Sequence, residues 1–280
     1  MVFRNLLVYL DHTRGGNTRL ELAVALAQEM EAHLTALALV GEVFFPTMAG
    51  VSLPPQILQE QTDAAERRCR ELLEQAKQRA ERAGISMETR HETANMDRLP
   101  FVLARHGRHA DMTIVGQADP ENSDFDDTLL AEAAFMDSGR PAIVVPHSST
   151  LRGLPERILV AWDGSREAVR AVNDSLPFLR RAKMVTVLVI DPDRYRAHLG
   201  EAPGADLATH LSRHGVEVTV KATRSDGIGV GETIAAETKH ADADMITMGG
   251  YGHSRLREVL IGGVTQYLLN RAPVPIFISH

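Results

Sequence analysis

An internal duplication constrains the fold of this chain more than any other feature, because the same order of apolar runs occurs twice. The run 110–116 (Ala-Asp-Met-Thr-Ile-Val-Gly) in the first half corresponds to 243–249 (Ala-Asp-Met-Ile-Thr-Met-Gly) in the second. Likewise, Asp11 and Asp163 each close the first apolar run of their half. Such self-similarity predicts two copies of one structural unit, and 280 residues suffice for two domains of ordinary size.

Each half alternates short apolar runs with stretches of helical periodicity, which predicts buried strands joined by helices. In the first half we predict strands over 3–10, 33–40, 85–93, 112–115 and 142–145, and helices over 18–30, 56–83, 99–109 and 128–137. In the second half we predict strands over 158–162, 185–190, 216–223, 245–248 and 276–278, and a helix that ends near Asn270. This order favours parallel sheets with crossover helices. The linker composition over 147–155 predicts a boundary between a first domain, 1–150, and a second, 151–280.

A glycine-rich loop lies between the last two predicted strands of the second half. Gly249 and Gly252 allow positive φ angles and the close approach of a ligand. Gly262 and Gly263 stand at the start of a helix, where free N–H groups and the helix dipole favour an anion such as phosphate. No Gly-Lys-Ser/Thr follows, so the loop is not a Walker A motif. The alternative is that these glycines only turn the chain.

The spacing of these glycines resembles the nucleotide loop of the universal stress protein family: Gly, two residues, Gly, nine residues, Gly, then Ser or Thr. Gly249, Gly252 and Gly262 fit this spacing, and Gly263 stands where the family has the hydroxyl. With the duplication, the resemblance extends over the whole chain, in the tandem form with two such domains. It implies an α/β fold of two tandem, open, parallel five-stranded sheets with crossover helices, nucleotide-binding-like and of Rossmann type.

The resemblance also implies which residues of the second half contact a nucleotide. Asp163 corresponds to a residue at the adenosine pocket, and Val189 to one whose backbone contacts adenine. The ribose and phosphate loop corresponds to Gly249, Gly252, Gly262, Gly263 and Val264. The implied cofactor is ATP or another adenine nucleotide, with Mg²⁺ bound only together with the nucleotide. The alternative role for Asp163, together with Ser165, is to cap the following helix.

The first half retains only Asp11 and Gly116 of this pattern. No glycines follow at the positions that match Gly252 and Gly262, and five carboxylates occur from 119 to 127. These negative charges would repel a triphosphate. We therefore expect nucleotide binding in the second domain alone.

The composition narrows the classes of function. A formal net charge of −7 argues against a nucleic-acid-binding surface, which is normally basic. The single cysteine, Cys69, excludes a disulfide within the chain and favours a reducing compartment. The first apolar run, 6–10, is too short for a signal peptide or a membrane span, so we expect a cytoplasmic protein with no membrane partner.

Three other features admit more than one interpretation. Cys69 lies among arginines that would lower the pKa of its thiol, although a surface cysteine without a role is the simpler interpretation. His210 and His214 share a helical face that would suit a metal, but the metalloprotease pattern is absent and we predict no metal site. The helix over 56–83 has no lasting heptad pattern, which indicates a solvated or partner-facing element.

These features favour a stress-response module that binds an adenine nucleotide at one site, in its second domain. No residue stands out as a base that would activate water, so we expect no dedicated catalysis and at most slow ATP hydrolysis. The alternatives are an interaction or assembly protein on the same fold, a binder of another small ligand, or an enzyme of the same fold class. We expect the two domains to pair within the chain through strands 142–145 and 276–278, and a homo-oligomer is left open.

Overall fold

The structure is a computed structural model that describes residues 3–42, 55–118, 127–194, 200–251 and 263–280. The first half contains β1 (Asn5–Leu10), α1 (Arg14–Met30), β2 (His33–Glu42), α2 (Pro55–Arg82), β3 (Met87–Asn95), α3 (Leu99–Gly107), β4 (Met112–Gly116), α4 (Asp127–Met136) and β5 (Ala142–Val145). The second half contains β6 (Arg157–Ala161), α5 (Arg166–Leu179), β7 (Met184–Ile190), α6 (Ala205–Arg213), β8 (Val218–Thr223), α7 (Val230–His240), β9 (Met245–Gly249), α8 (Gly263–Arg271) and β10 (Ile276–Ser279).

The strands of the described ranges belong to one sheet, in the order β3-β2-β1-β4-β5-β10-β9-β6-β7-β8. Neighbours within each half are parallel. In contrast, β5 and β10 are antiparallel, with Ile143 opposite Phe277. The predicted α/β class, with parallel five-stranded sheets and crossover helices, is confirmed. The two sheets join edge to edge, however, so neither β5 nor β10 is left as an open edge.

Helices cover both faces of the sheet, which explains why the central strands are apolar without alternation. Along β1, Leu6 belongs to the core that includes α1 and α2, and Leu7 to the core that includes α3 and α4. The first of these cores continues into the second half through the rings of Phe3, Phe178 and Phe277, whose centroids lie 5.5 to 6.4 Å apart. Burial of one such side chain stabilises the fold by about 1.5–3 kcal/mol, so this cluster and the β5–β10 pairing both hold the halves together.

Helix α1 begins at Arg14, four residues before the predicted start at residue 18. Thr13 explains the early start, because its Oγ1 accepts a hydrogen bond from the N–H of Gly16 at 3.1 Å. Ser165 caps α5 in the same way. Both halves therefore start their first helix with a hydroxyl cap.

Helix α2 is amphipathic rather than solvated on all sides, which corrects the prediction for this segment. One face packs against β2 and β3 and carries the buried residues Cys69, Leu73, Ala76 and Ala80. Cys69 is 7% exposed, and burial raises the pKa of its thiol because the nearby arginines offset the loss of solvent only in part. Cys69 is thus a core residue, neither a surface cysteine nor an activated one.

Among the helices described, none combines the length and the apolar character that a membrane span needs. The 28-residue helix α2 is rich in charged residues along its length.

Candidate functional site

The order of the strands creates a crevice in each half. In the second half β6 lies between β9 and β7, and the helices that follow β6 and β9 belong to cores on opposite faces of the sheet. Where helices diverge in this way, the carboxyl ends of the two strands border an open crevice, which is the usual ligand position in such folds. In the first half β1 and β4 form the corresponding pair.

Asp163 follows the end of β6, at the border of this crevice. Its Oδ1 accepts a hydrogen bond from the N–H of Ser165 at 2.9 Å. The hydroxyl oxygen of Ser165 in turn accepts the N–H of Ala168 at 3.2 Å and caps α5. Gly164, between the two, adopts a φ of 73°, which favours glycine. Asp163 therefore supports the turn into α5 while it remains half-buried at the end of the strand.

Gly249 ends β9, but the reason for glycine at this position differs from the predicted one. Its φ is not in the left-handed region, so the predicted positive φ is wrong here. A Cβ would collide with the backbone N of Ala168 and approach Glu167, both in the first turn of α5. The absence of a side chain thus lets α5 pack directly on the end of β9, and this contact sets how closely the two sides of the crevice meet.

Two further predicted site residues, Val189 and Gly263, lie near the end of β7 and at the start of α8. Val189 lies near the end of β7 and is completely buried. The ladder between β6 and β7 ends at Leu188, so Val189 is the first residue of β7 beyond it. Gly263 begins α8 and is exposed, and Val264 after it is half-buried. A Cβ on Gly263 would meet no atom of the described residues within 4 Å, and its φ is compatible with any residue.

A hydrogen bond connects the end of β9 to the first turn of α8, although Gly252 and Gly262, between the two, lie outside the described residues. The N–H of Tyr251 donates to Oγ1 of Thr265 at 3.2 Å. This contact places the start of α8, where helical N–H groups lack backbone partners, next to the carboxyl end of β9. The predicted site residues that lie within the described ranges are therefore all found at the carboxyl ends of the second-half strands or at the start of α8.

Tyr251 is a residue at this edge that the sequence analysis missed. It has a φ of 57°. Its ring stacks on that of Phe135 in α4 with 6.0 Å between centroids, and its hydroxyl donates to the carboxylate of Glu132. Burial, with the hydrogen bond to Glu132 and the charge of that residue, raises the pKa of Tyr251. This contact has no signature in the local sequence, because it is the pairing of β5 with β10 that brings α4 close to the end of β9.

The corresponding crevice of the first half is filled by a buried arginine. Arg19 in α1 is 2% exposed. Its Nε donates to the carbonyl oxygen of Tyr9 at 3.0 Å, and its Nη2 donates to the carboxylate of Asp11. A Cβ on Gly116 would collide with the guanidinium. Burial acts to raise the pKa of Asp11, but the charge of Arg19 and hydrogen bonds from Thr13 outweigh it, so that pKa is lowered.

The second half has an alanine at the position of this arginine. Arg19 is the sixth residue of α1, and the sixth residue of α5 is Ala171, which is buried. Both helices start at the same distance along the chain from the aspartate that follows the strand, Asp11 or Asp163. The guanidinium that neutralises Asp11 is therefore replaced by a methyl group in the second half.

Within the described ranges, no group of three or more His, Cys, Asp or Glu residues is arranged to hold a metal ion. The rings of His210 and His214 do lie together, with 4.7 Å between centroids. They offer two nitrogen ligands, whereas a structural zinc site usually takes four protein ligands.

Comparison with known proteins identifies the fold of the chain and a family model that matches its second half. Residues 155–280 match the family model described as the universal stress protein family. A universal stress protein from Archaeoglobus fulgidus DSM 4304 is similar over 99% of this chain and 97% of its own, with 20% identity and a TM-score of 0.75. A functionally unknown protein from Pseudomonas aeruginosa PAO1 is similar over 99% of this chain and 92% of its own, with 15% identity and a TM-score of 0.58. No curated protein matches the chain.

Proposed function

We propose that the second half, of which residues 155–280 match the universal stress protein family model, binds one adenine nucleotide, such as ATP, per chain. The proposed role is that of a stress-response module without dedicated catalysis. The observation that carries the proposal is that Asp163 and Gly249 lie at the carboxyl ends of the neighbouring strands β6 and β9, at the border of the crevice. The first turn of α8 is held at the same edge by the hydrogen bond between Tyr251 and Thr265.

Each part of this edge suits one part of a nucleotide. The carboxylate of Asp163 would accept hydrogen bonds from a ribose hydroxyl or from the adenine amino group. The backbone of Val189, beyond the ladder with β6, would contact the base. The N–H groups at the start of α8, from Gly263 and Val264, favour phosphate through hydrogen bonds and the helix dipole. Mg²⁺ would bind the phosphates rather than a cage of protein ligands.

The described residues of the first half offer no comparable place for the ligand. Arg19 lies against the end of β4, and the carboxylate of Asp11 already neutralises its charge. Displacing this arginine would leave a buried charge without its partner, at a cost of several kcal/mol. The proposal therefore limits binding to one site per chain.

Titration calorimetry of the full-length chain with ATP tests this proposal. We expect a stoichiometry near one per chain, and we expect denaturation of freshly purified protein to release an adenine nucleotide that chromatography identifies. Asp163→Ala should weaken ATP binding about tenfold or more, because a hydrogen bond to a charged group contributes about 1.5–3 kcal/mol.

Ser165→Ala is the matched control, because it removes the cap of α5 and leaves the carboxylate of Asp163 in place. It should cost about 1 kcal/mol of folding stability and leave the ATP affinity close to that of the wild type. Absence of binding by the wild-type chain, or equal affinity in Asp163→Ala, would contradict the proposal. The first result would favour an interaction or assembly protein on the same fold, and the second would place the ATP site away from Asp163.

A further inference from the structure

A contact between the two halves reaches the candidate site through Tyr251. Its ring stacks on that of Phe135 in α4 with an interplanar angle of 19°, and its hydroxyl donates to the carboxylate of Glu132, also in α4. We propose that Glu132 and Phe135 are positioning residues of the second-half site: they fix the main chain at the end of β9 and thereby strengthen nucleotide binding. This inference rests on the function proposed above.

The main chain at Tyr251 needs support from its surroundings. A φ of 57° places a bulky residue in the left-handed region, an arrangement that persists only where neighbouring contacts fix it. Three contacts do so here: the stacking on Phe135, the hydrogen bond to Glu132, and the bond from the Tyr251 N–H to Thr265. The first two come from the first half of the chain.

Gly250 shows how closely α4 approaches this segment. A Cβ on Gly250 would lie 2.6 Å from Cε2 of Phe135, so a larger residue would push the two elements apart. The N–H of Gly250 also donates to the carbonyl oxygen of Ser279 at 2.8 Å. Residues 250 and 251 are thus held from two sides, by α4 of the first half and β10 of the second.

This contact is not what holds the halves together. The β5–β10 ladder and the aromatic cluster around Phe3 involve neither Glu132 nor Tyr251. Loss of one hydroxyl–carboxylate hydrogen bond should therefore leave the halves assembled and change the geometry of residues 249–251. The first half, whose own crevice is filled by Arg19, serves in this way as the support for the site of the second half.

The test compares variants of the full-length chain by ATP calorimetry. Glu132→Ala and Tyr251→Phe should each weaken binding by about three- to tenfold, and the double variant should be no weaker, because both remove the same hydrogen bond. Glu132→Gln keeps an acceptor oxygen and should restore most of the affinity. Asn270→Ala is the matched control, since it removes another hydrogen bond between the halves, from Thr128 at 3.4 Å, without touching Tyr251.

Hydrogen exchange of the Tyr251 amide, measured without nucleotide, reports the positioning itself. Glu132→Ala should speed this exchange, whereas Glu132→Gln and Asn270→Ala should not. If the wild type binds no ATP, the proposed function fails, and the exchange of the Tyr251 amide alone tests the positioning role of Glu132. Faster exchange in Glu132→Ala then supports that role, and unchanged exchange overturns it. If the wild type binds ATP, unchanged affinity in both Glu132→Ala and Tyr251→Phe overturns the inference and leaves the proposed function intact.

Discussion

The two halves share one topology and differ in what lies at the carboxyl end of their first strand. In the first half Arg19 reaches from α1 to neutralise Asp11. In the second half Asp163 follows the strand in the same way, and Ala171 stands where the arginine would be. Among the described residues, one side chain in the first helix, arginine or alanine, therefore distinguishes the two crevices.

The glycines that end β4 and β9 extend this comparison. Gly116 makes room for the guanidinium of Arg19, whereas Gly249 makes room for the backbone of α5. The two positions match in sequence and both exclude a side chain, yet different neighbours take up the space. A matched glycine in a duplicated fold thus indicates a close approach without indicating what approaches.

Among the variants that probe this comparison, Arg19→Ala should lower the stability most, because it leaves the carboxylate of Asp11 without its cation. Breaking a buried pair by removing one partner costs about 3–5 kcal/mol, and we expect a loss of that size in the free energy of unfolding, measured by urea denaturation. Arg170→Ala removes a pair between an exposed arginine and the half-buried Asp174, 3.8 Å apart, and a hydrogen bond to the carbonyl oxygen of Gly139 at 3.1 Å, and should cost about 1 kcal/mol. Equal losses of stability in the two variants would mean that the buried pair of Arg19 with Asp11 does not stabilise the first half.

Gly249→Ala should cost about 1–3 kcal/mol, because the added Cβ meets the backbone of α5 rather than a flexible side chain. Gly263→Ala is the matched control, since its Cβ has open space and a helical glycine replaced by alanine gains up to about 1 kcal/mol. Thermal unfolding measures both. Similar midpoints for the two variants would contradict the tight packing of α5 on β9.

Gly263→Ser restores the hydroxyl of the family motif at the start of α8 and should strengthen ATP binding about tenfold or more. Open space for the Cβ and a φ outside the left-handed region mean that the backbone does not oppose the change. Calorimetry of the full-length chain measures the gain. The proposed contact with phosphate would be refuted by an equal gain in Gly263→Ala, which adds the Cβ without the hydroxyl.

The titration of Asp11 predicts the smallest effect. This effect appears at acid pH and is separate from the loss at neutral pH that Asp11→Asn also causes, because that variant breaks the buried pair with Arg19. The pKa of Asp11 is lower in the folded chain than in the unfolded one, so its stabilising contribution is present above the unfolded value, about 4, and is lost as the pH falls through the folded value. Asp11→Asn removes this titration and should flatten the fall of the unfolding free energy below about pH 4. Urea denaturation over a series of pH values measures the slope, and an unchanged slope would show that Asp11 contributes nothing to it.

The regular elements could be predicted because a parallel strand covered on both faces is a short run of apolar residues. Strand β5 has the predicted bounds, 142–145, and the other strands differ from prediction mainly at their ends. The predicted start of α1 was four residues late: Gly15 and Gly16 have low helix propensity, but the cap at Thr13 makes them part of the first helical turn. A cap outweighs the low helix propensity of glycine when the rest of the helix packs on the sheet.

The candidate site could be predicted only in outline. The sequence places Asp163, Val189 and Gly249 at strand ends, where the structure has them, and their contact with a nucleotide stays a prediction. The burial of Arg19 was missed, because a lone arginine on a helix normally indicates a solvated face. Tyr251 was missed as well, because its partners in α4 are distant along the chain.

The sequence by itself determined what is local and periodic in this protein: the duplication, the order of strands and helices, and the α/β class. Only the tertiary structure decided the register between β5 and β10, the ion pair of Arg19 with Asp11, and the contact of Tyr251 with Glu132. Apolar periodicity acts over a few residues and is therefore visible in a short window. A hydrogen bond between residues 119 positions apart depends on which elements the sheet topology brings together, and no short window contains that information.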